Sequence, residues 1–466
     1  MTTLGNVING ERLSGAAGSD LVDPATGEVF GSAVVSREAE VDAAVQAAEK
    51  AFAVWSRTTP GERASALLKL ADLLEANASL VADAEVRETG KIRSVVLEEE
   101  IPQCADQIRF FAGAARLLHS AAAGEYLAGH TSYQRREPVG VIAQITPWNY
   151  PLMMAVWKIA PAIAAGNTVV VKPADTTPSS TVLLASLAAE VLPPGVFNVV
   201  LGDRDTGRLL VEHPVPAMVS ITGSTRAGIE VARSAATTLK RTHLELGGNA
   251  PVLVFDDIDV AAVAPAVVGA AYYNAGQDCT AATRVLVHSS VHDQFVSALA
   301  EAAAAQTPGV DYGPLNSAAQ LSRVQSLVDR LPAHATVHCG GKQFGDRGFF
   351  FSPTVISGLR QDDEVVQEEI FAPVITVQSF SSDDEGVALA NGVPQGLASS
   401  VWTGSSARAN RITTELDFGV VWVNTHGPIT PEMPHGGFGQ SGYGKDLSMH
   451  GLEDYTRVKH VMQAFS

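Results

Sequence analysis

Cysteine is nearly missing from this sequence: three in 466 residues, at positions 104, 279 and 339, with no CxxC pair and no Cys/His cluster. That excludes a disulfide framework and a zinc site of familiar spacing, and it suits a reducing compartment. Positive charge is scarce too. Thirty-two Lys and Arg against fifty Asp and Glu leave a net −18, which argues against nucleic acid or an anionic membrane as partner. No apolar run is long enough to span a bilayer, which takes about 18 residues or more. The opening MTTLGNVINGERLSG has no basic segment leading into an apolar run, so no signal peptide and a cytoplasmic location are expected. Internal repeats and low-complexity linkers are lacking as well. What remains is a folded, soluble composition, 46% hydrophobic and 18% charged, in a chain long enough for two or three structural units, possibly interleaved.

Residues 38–119 are rich in Ala, Leu and Glu, and their apolar residues recur at three- and four-residue spacing, which predicts amphipathic helices. From 139 onward short β-rich runs appear, VGVIAQI, NTVVVK, VFNVVLG and AMVSITG, each followed by a turn and a helical stretch. That alternation predicts a parallel sheet with crossover helices. A second series begins after 250 with APVLVF, TRVLVH, ATVHCGG, PVITVQSF, LASSVWT and GVVWVN. The fold class is therefore α/β. Two polar, partly alternating segments, EYLAGHTSYQRREP and EDYTRVKHVMQAF, stand apart as edge or protruding strands.

Ligands of open parallel sheets bind beyond the carboxyl ends of the strands. Here VIAQI runs into Thr146-Pro147-Trp148-Asn149-Tyr150-Pro151, TVVV into Lys172-Pro173-Ala174-Asp175, and MVSI into Thr222-Gly223-Ser224. Three successive strand ends with polar or glycine-rich chemistry point to a nucleotide-type site. In GSTRAG the backbone N–H groups of a helix start can take a pyrophosphate, and Ser224 can cap that helix; an ordinary strand-to-helix turn reads the same way. Lys172 and Asp175 can bond ribose hydroxyls, and a carboxylate near the 2′ position favours NAD over NADP. GFGQSG (437–442) matches GxGxxG, but PEMPH precedes it instead of a strand, so it is read as a tight loop.

HLELGGNAP places Glu245 at an apolar strand end before two glycines. Partly desolvated there, it suits a general base; a salt-bridged glutamate is the plain alternative. Cys279 sits in YYNAGQDCTAATR, where Gly276, Gln277, Asp278 and Thr280 make the surroundings too polar for a merely buried thiol. Asp278 directly before it makes a thiolate harder to form. His435 is a lone loop histidine without metal partners, and no metal site is expected.

Taken together, PWNYP, VKPAD, TGSTRAG, LELGGNAP, NAGQDC, EEIFAPV and PHGGFGQSGYGKD resemble, in order and over nearly the whole chain, the NAD(P)-dependent aldehyde dehydrogenase superfamily. Glu245 stands 34 residues before Cys279, which fits that family's base-to-nucleophile spacing. The resemblance implies a Rossmann-type cofactor domain (1–119 and 139–247), an α/β catalytic domain (248–447) and a small β oligomerisation element (120–138 and 448–466) of a homodimer or homotetramer. It makes Cys279 the nucleophile, Asn149 an oxyanion donor and Glu245 the base, with Lys158 and Asp446 assisting proton transfer. Ile145, Thr146, Pro147, Trp148, Lys172, Asp175, Gly223, Ser224, Glu245, Leu246, Gly247, Glu369 and Phe371 would bind the cofactor, NAD. Three positions depart from the family pattern: Asp175 and Asp446 stand where glutamate is common, and Ala372 replaces a common glycine.

Within the family, NAGQDCTAATR and EMPHGGFGQSGYGKDLSMHGLEDYTRVKHVM look most like γ-aminobutyraldehyde (1-pyrroline) dehydrogenases, which act in putrescine and polyamine breakdown. A carboxylate at 278 offers a charge to a cationic substrate tail. Tyr150, Met154, Trp157, Asp278, Thr280 and His435 would line the substrate site, with Tyr150 and Trp157 facing the cation. Betaine aldehyde or a broad aldehyde range is the alternative within the family; outside it stand a thioester hydrolase using Cys279 and an inactive structural relative. A hydrolase would need a histidine base, and His243, His288 and His435 stand in no such motif.

Overall fold

The computed structural model describes residues 3–465, so the expected segments' outermost residues, 1–2 and 466, lie outside it. The helices expected over 38–119 form at Glu38–Trp55, Pro60–Ala76, Ala78–Thr89 and Ile101–Ala114. Local chemistry sets their ends. Thr59 and Glu62 make a capping box ahead of Pro60, and Gly90 closes Ala78–Thr89 in the left-handed region, φ 70°. Between the last two lies a π-turn, Val96–Glu100, which rotates its three glutamates relative to a regular helix. Residues 3–33, where the sequence pattern says little, form five short strands.

Five parallel strands make the body of the first large sheet, in the order Arg241–Glu245, Met218–Thr222, Val141–Ile145, Thr168–Lys172 and Phe197–Val199. The chain builds outward from Val141–Ile145 in one direction, then returns to its other side, so a switch point falls between that strand and Met218–Thr222. Behind it runs Pro151–Ala164, a helix buried at every position and carrying a single charge, Lys158. An apolar face all round is what a helix covered on all sides requires.

The second large sheet runs Thr336–Cys339, Thr354–Ser357, Val374–Phe380, Arg284–His288, Pro251–Val254, Ala398–Trp402, Val420–Val423, parallel except for its first pair. The two orphan segments meet. Thr456–Ala464 pairs antiparallel with His130–Pro138, and Gly124–Leu127 adds a third strand. Each large sheet has its own apolar core. The carboxyl ends of the first sheet's strands reach one cavity, and the second sheet meets it mainly through the segments that lead into Arg284–His288 and Val374–Phe380.

Candidate active site

The cavity holds about 790 Å³, and Cys279, Asn149 and Glu245 all line it. The loop that presents Cys279 follows the Val260–Tyr272 helix and turns through three consecutive left-handed residues, Asn274 (φ 51°), Ala275 (φ 56°) and Gly276 (φ 68°). For Ala275 that conformation costs about 1–2 kcal/mol. A dense set of bonds holds it. Asn274 Nδ2 donates to the carbonyls of Asn149 (2.9 Å) and Gln277 (3.1 Å), and Gln277 Nε2 donates to those of Asn274 and Pro314. Gly276 permits no side chain, because a Cβ there would lie 2.1 Å from the Ala372 carbonyl oxygen.

Glu245 is the last residue of its strand. A Cβ on Gly248 would lie 2.0 Å from the Cys279 carbonyl oxygen, so the glycines after Glu245 let that strand end press against the Cys279 loop. The GFGQSG loop clamps the same strand end from outside: Gly442–Tyr443 pairs with Leu244 and Glu245, and Ser441 Oγ donates to the Gly247 carbonyl. It is a tight loop with a structural task. Asn149 Nδ2 donates to the Gln277 carbonyl at 3.0 Å, two residues before Cys279.

Electrostatics divide these groups. Burial pushes the Cys279 thiol well up, and the charges of Asp278, Glu245 and Glu369 push it further. The handicap read from the sequence is thus present. Glu245 is buried, with Oε1 unpartnered; burial and then Asp446 raise its carboxyl, against the pull of His243, Lys158 and Lys445. His435, with Nε2 3.9 Å from Glu245 Oε2, is pulled down to about 4 by burial. Lys158 Nζ lies 3.2 Å from Asp446 Oδ2, and both side chains are fully buried behind the cavity. Burial pushes Asp446 up, but Lys158 and His243 overcome it and hold the group below the ordinary carboxylate range.

The cofactor residues expected from the sequence fall at one end of the cavity. Pro147, Trp148, Gly223, Ser224, Leu246, Gly247, Glu369 and Phe371 line it. Trp148 and Phe371 meet edge to face at 5.3 Å. Glu369 Oε1 accepts from Gly248 N at 2.9 Å, and burial pushes its carboxyl up to about 8. Ser224 caps the Thr225–Ala236 helix through Ala227 N. Thr146 and Thr222 hydroxyls, at the ends of neighbouring strands, are buried with no partner. Ile145, Thr146, Lys172 and Asp175 lie off the cavity wall, Thr146 and Lys172 buried and Asp175 exposed. Unpartnered hydroxyls, a capped helix start and close-packed glycines at a switch point fit a dinucleotide.

Tyr150, Met154, Trp157, Asp278, Thr280 and His435 line the rest. Asp278 Oδ1 accepts from Thr280 N and Oγ1, both at 2.7 Å, and Oδ2 accepts from Tyr150 Oη at 2.8 Å. The carboxylate bonds its own loop and faces the cavity as well. Behind Tyr150 lies a cluster not anticipated from the sequence. Lys91 Nζ sits 2.8 Å from Glu100 Oε2, 3.6 Å from Glu85 Oε1 and 4.0 Å above the Tyr150 ring. One face of that ring therefore already carries a cation. Glu99 and Glu100, from the π-turn, also line the cavity, and the run Glu98-Glu99-Glu100 was the only sequence signal for them.

A thiol, an amide donor and a carboxylate of raised pKa line one cavity, beside a strand-end cleft that fits a dinucleotide. The Aldehyde dehydrogenase family model matches residues 14–461, and the chain belongs to that family. Among solved structures it is similar to a betaine aldehyde dehydrogenase point mutant from Staphylococcus aureus in complex with NAD+ (34% identity, 99% of this chain and 96% of that one, TM-score 0.96). It is also similar to an NAD-dependent aldehyde dehydrogenase from Sinorhizobium meliloti (36%, 99% and 95%, TM-score 0.96). PnpE in complex with nicotinamide adenine dinucleotide aligns equally well (37%, 99% and 98%, TM-score 0.96); PnpE has also been solved from Pseudomonas sp. WBC-3.

Proposed function

We propose that this aldehyde dehydrogenase, which is NAD-dependent, oxidises aminoaldehydes such as 4-aminobutanal, of the kind formed in putrescine and polyamine breakdown. The observation that supports the substrate class is Asp278. Its carboxylate is fixed by three hydrogen bonds on the cavity wall next to Cys279, and among the described residues no cationic side chain pairs with it. A substrate ammonium supplies the missing charge. The Tyr150 hydroxyl is spent on Asp278 and one ring face on Lys91. The wall is therefore better furnished to accept N–H bonds than to box a quaternary ammonium, and betaine aldehyde ranks second.

In this reading Cys279 Sγ attacks the aldehyde carbon and the thiol proton passes to water, giving a thiohemiacetal. Asn149 Nδ2 and the Cys279 backbone N–H hold its oxyanion. When bound, NAD supplies the hydride acceptor that turns this adduct into a thioester. Glu245 takes a proton from water, the new C–O bond forms, the C–S bond breaks, and the carboxylic acid departs. Lys158 and Asp446 assist proton transfer from Glu245. Trp148, Gly223, Ser224, Glu369 and Phe371 would hold NAD, with Lys172 and Asp175 toward the adenosine ribose. The three-stranded sheet of residues 124–138 and 456–464 would join subunits into a dimer or tetramer.

NADH absorbance with a panel of 4-aminobutanal, 3-aminopropanal, betaine aldehyde and hexanal, each with NAD and NADP, tests the reading. The expected order of kcat/KM puts the primary aminoaldehydes first, with NAD preferred. Hexanal in first place would sink the substrate class. No NADH with any aldehyde would favour a thioester hydrolase or an inactive structural relative.

A further inference from the structure

His243 is two residues before Glu245 on the same strand, and strand alternation puts both side chains on one face. Its imidazole is fully buried and bracketed by acids: Nε2 lies 3.3 Å from Asp446 Oδ1 and Nδ1 3.1 Å from Asp454 Oδ2. Tyr455 stacks on the ring at 6.1 Å. Asp454 also accepts from Lys445 N at 3.1 Å and is partly open to solvent. The charged groups facing this pocket are thus Asp446 and Asp454 on one side, and Lys158, Lys445 and Glu245 on the other. Nothing in the mechanism above uses His243 or Asp454.

We propose that His243, held as an imidazolium between Asp446 and Asp454, is a positioning residue that tunes Glu245: its charge keeps the base ionised to lower pH than burial alone would allow. Two acids outweigh the burial that would discharge the ring, and the group stays protonated up to about 9. Its positive charge in turn opposes the burial and the Asp446 repulsion that raise Glu245. Without it, Lys158 and Lys445 are left to oppose Asp446 and the burial of Glu245. Glu245 then protonates at higher pH.

The inference rests on Glu245 being the base of thioester hydrolysis, and the test separates the two. Hydrolysis of p-nitrophenyl acetate without NAD acylates Cys279 directly, and the steady phase after the burst reports deacylation. In wild type its rate falls with decreasing pH through the Glu245 pKa. In His243→Asn that acid limb should move up by about one pH unit, the order expected for loss of a nearby opposite charge, while the plateau at high pH is retained. Asp454→Asn leaves the ring in place but weakens its hold on the proton, so a smaller shift in the same direction is expected. Melting temperatures identify any variant that has lost its fold. An unmoved limb in a folded His243→Asn and in Asp454→Asn, or a uniform loss of rate at all pH, overturns the proposal. Should Glu245→Gln keep the wild-type limb, the base assignment itself fails.

Discussion

Glu245→Gln should release one burst of NADH, close to one per active site, and then slow in steady state by ~10²–10⁴-fold. Glutamine keeps the shape and the close approach beyond Gly247 and Gly248, so Cys279 can still add to the aldehyde. It cannot take a proton from water, and the thioester accumulates. Two nearby groups cannot stand in. Asp446 is held by Lys158 and His243, and His435, with a pKa brought down to about 4, is too weak a base near neutrality. The wild-type rate of hydrolysis should fall as pH drops through the raised Glu245 pKa, because only the carboxylate accepts the proton. Rapid-mixing absorbance at 340 nm resolves burst and steady phases. A variant with no burst would place Glu245 in the first step instead.

Asn149→Ala should lose ~10²–10³-fold in kcat/KM, the effect of removing one donor to a developing oxyanion. The side chain also bonds the Gln277 carbonyl, so truncation could act by loosening the loop that carries Cys279. Alkylation by iodoacetamide distinguishes the causes. It displaces iodide at a saturated carbon and builds no oxyanion, so its rate should stay roughly at the wild-type value if Asn149 acts on the adduct. A parallel fall in alkylation and oxidation would assign the residue to loop support alone.

The parts of the site that were legible in the sequence owe this to local chemistry. Polar residues and glycines at the ends of apolar strands carry their meaning with them, and so Thr146 to Asn149, Gly223-Ser224 and Glu245-Leu246-Gly247 could be read before any contact was known. Lys91, Glu85 and Glu100 could not. They lie in a helical region where charges normally face water, and only the packing of the Pro151–Ala164 helix against those helices buries them beneath Tyr150. No sequence motif marks the surroundings of His243, because its two acid partners arrive from residues 446 and 454, some two hundred positions on. For Asp278 the two bonds from Thr280 are local, but the third comes from Tyr150, 128 residues earlier, and no pattern near Asp278 signals it. The short strands of residues 3–33 left almost no periodic signal, since runs of two to six residues are too brief to show one.

Asp278→Asn bears most directly on the substrate. The quantity to measure is the ratio of kcat/KM for 4-aminobutanal to that for butanal, with NAD, in wild type and variant. A charge-assisted bond contributes ~1.5–3 kcal/mol, so the ratio should fall by about 10- to 150-fold, nearly all of it through the aminoaldehyde. Asparagine can still accept from Thr280 through its oxygen and donate from Nδ2 to the Tyr150 hydroxyl oxygen, so loop damage would strike both substrates alike. An unchanged ratio, with both efficiencies falling together, would contradict the account.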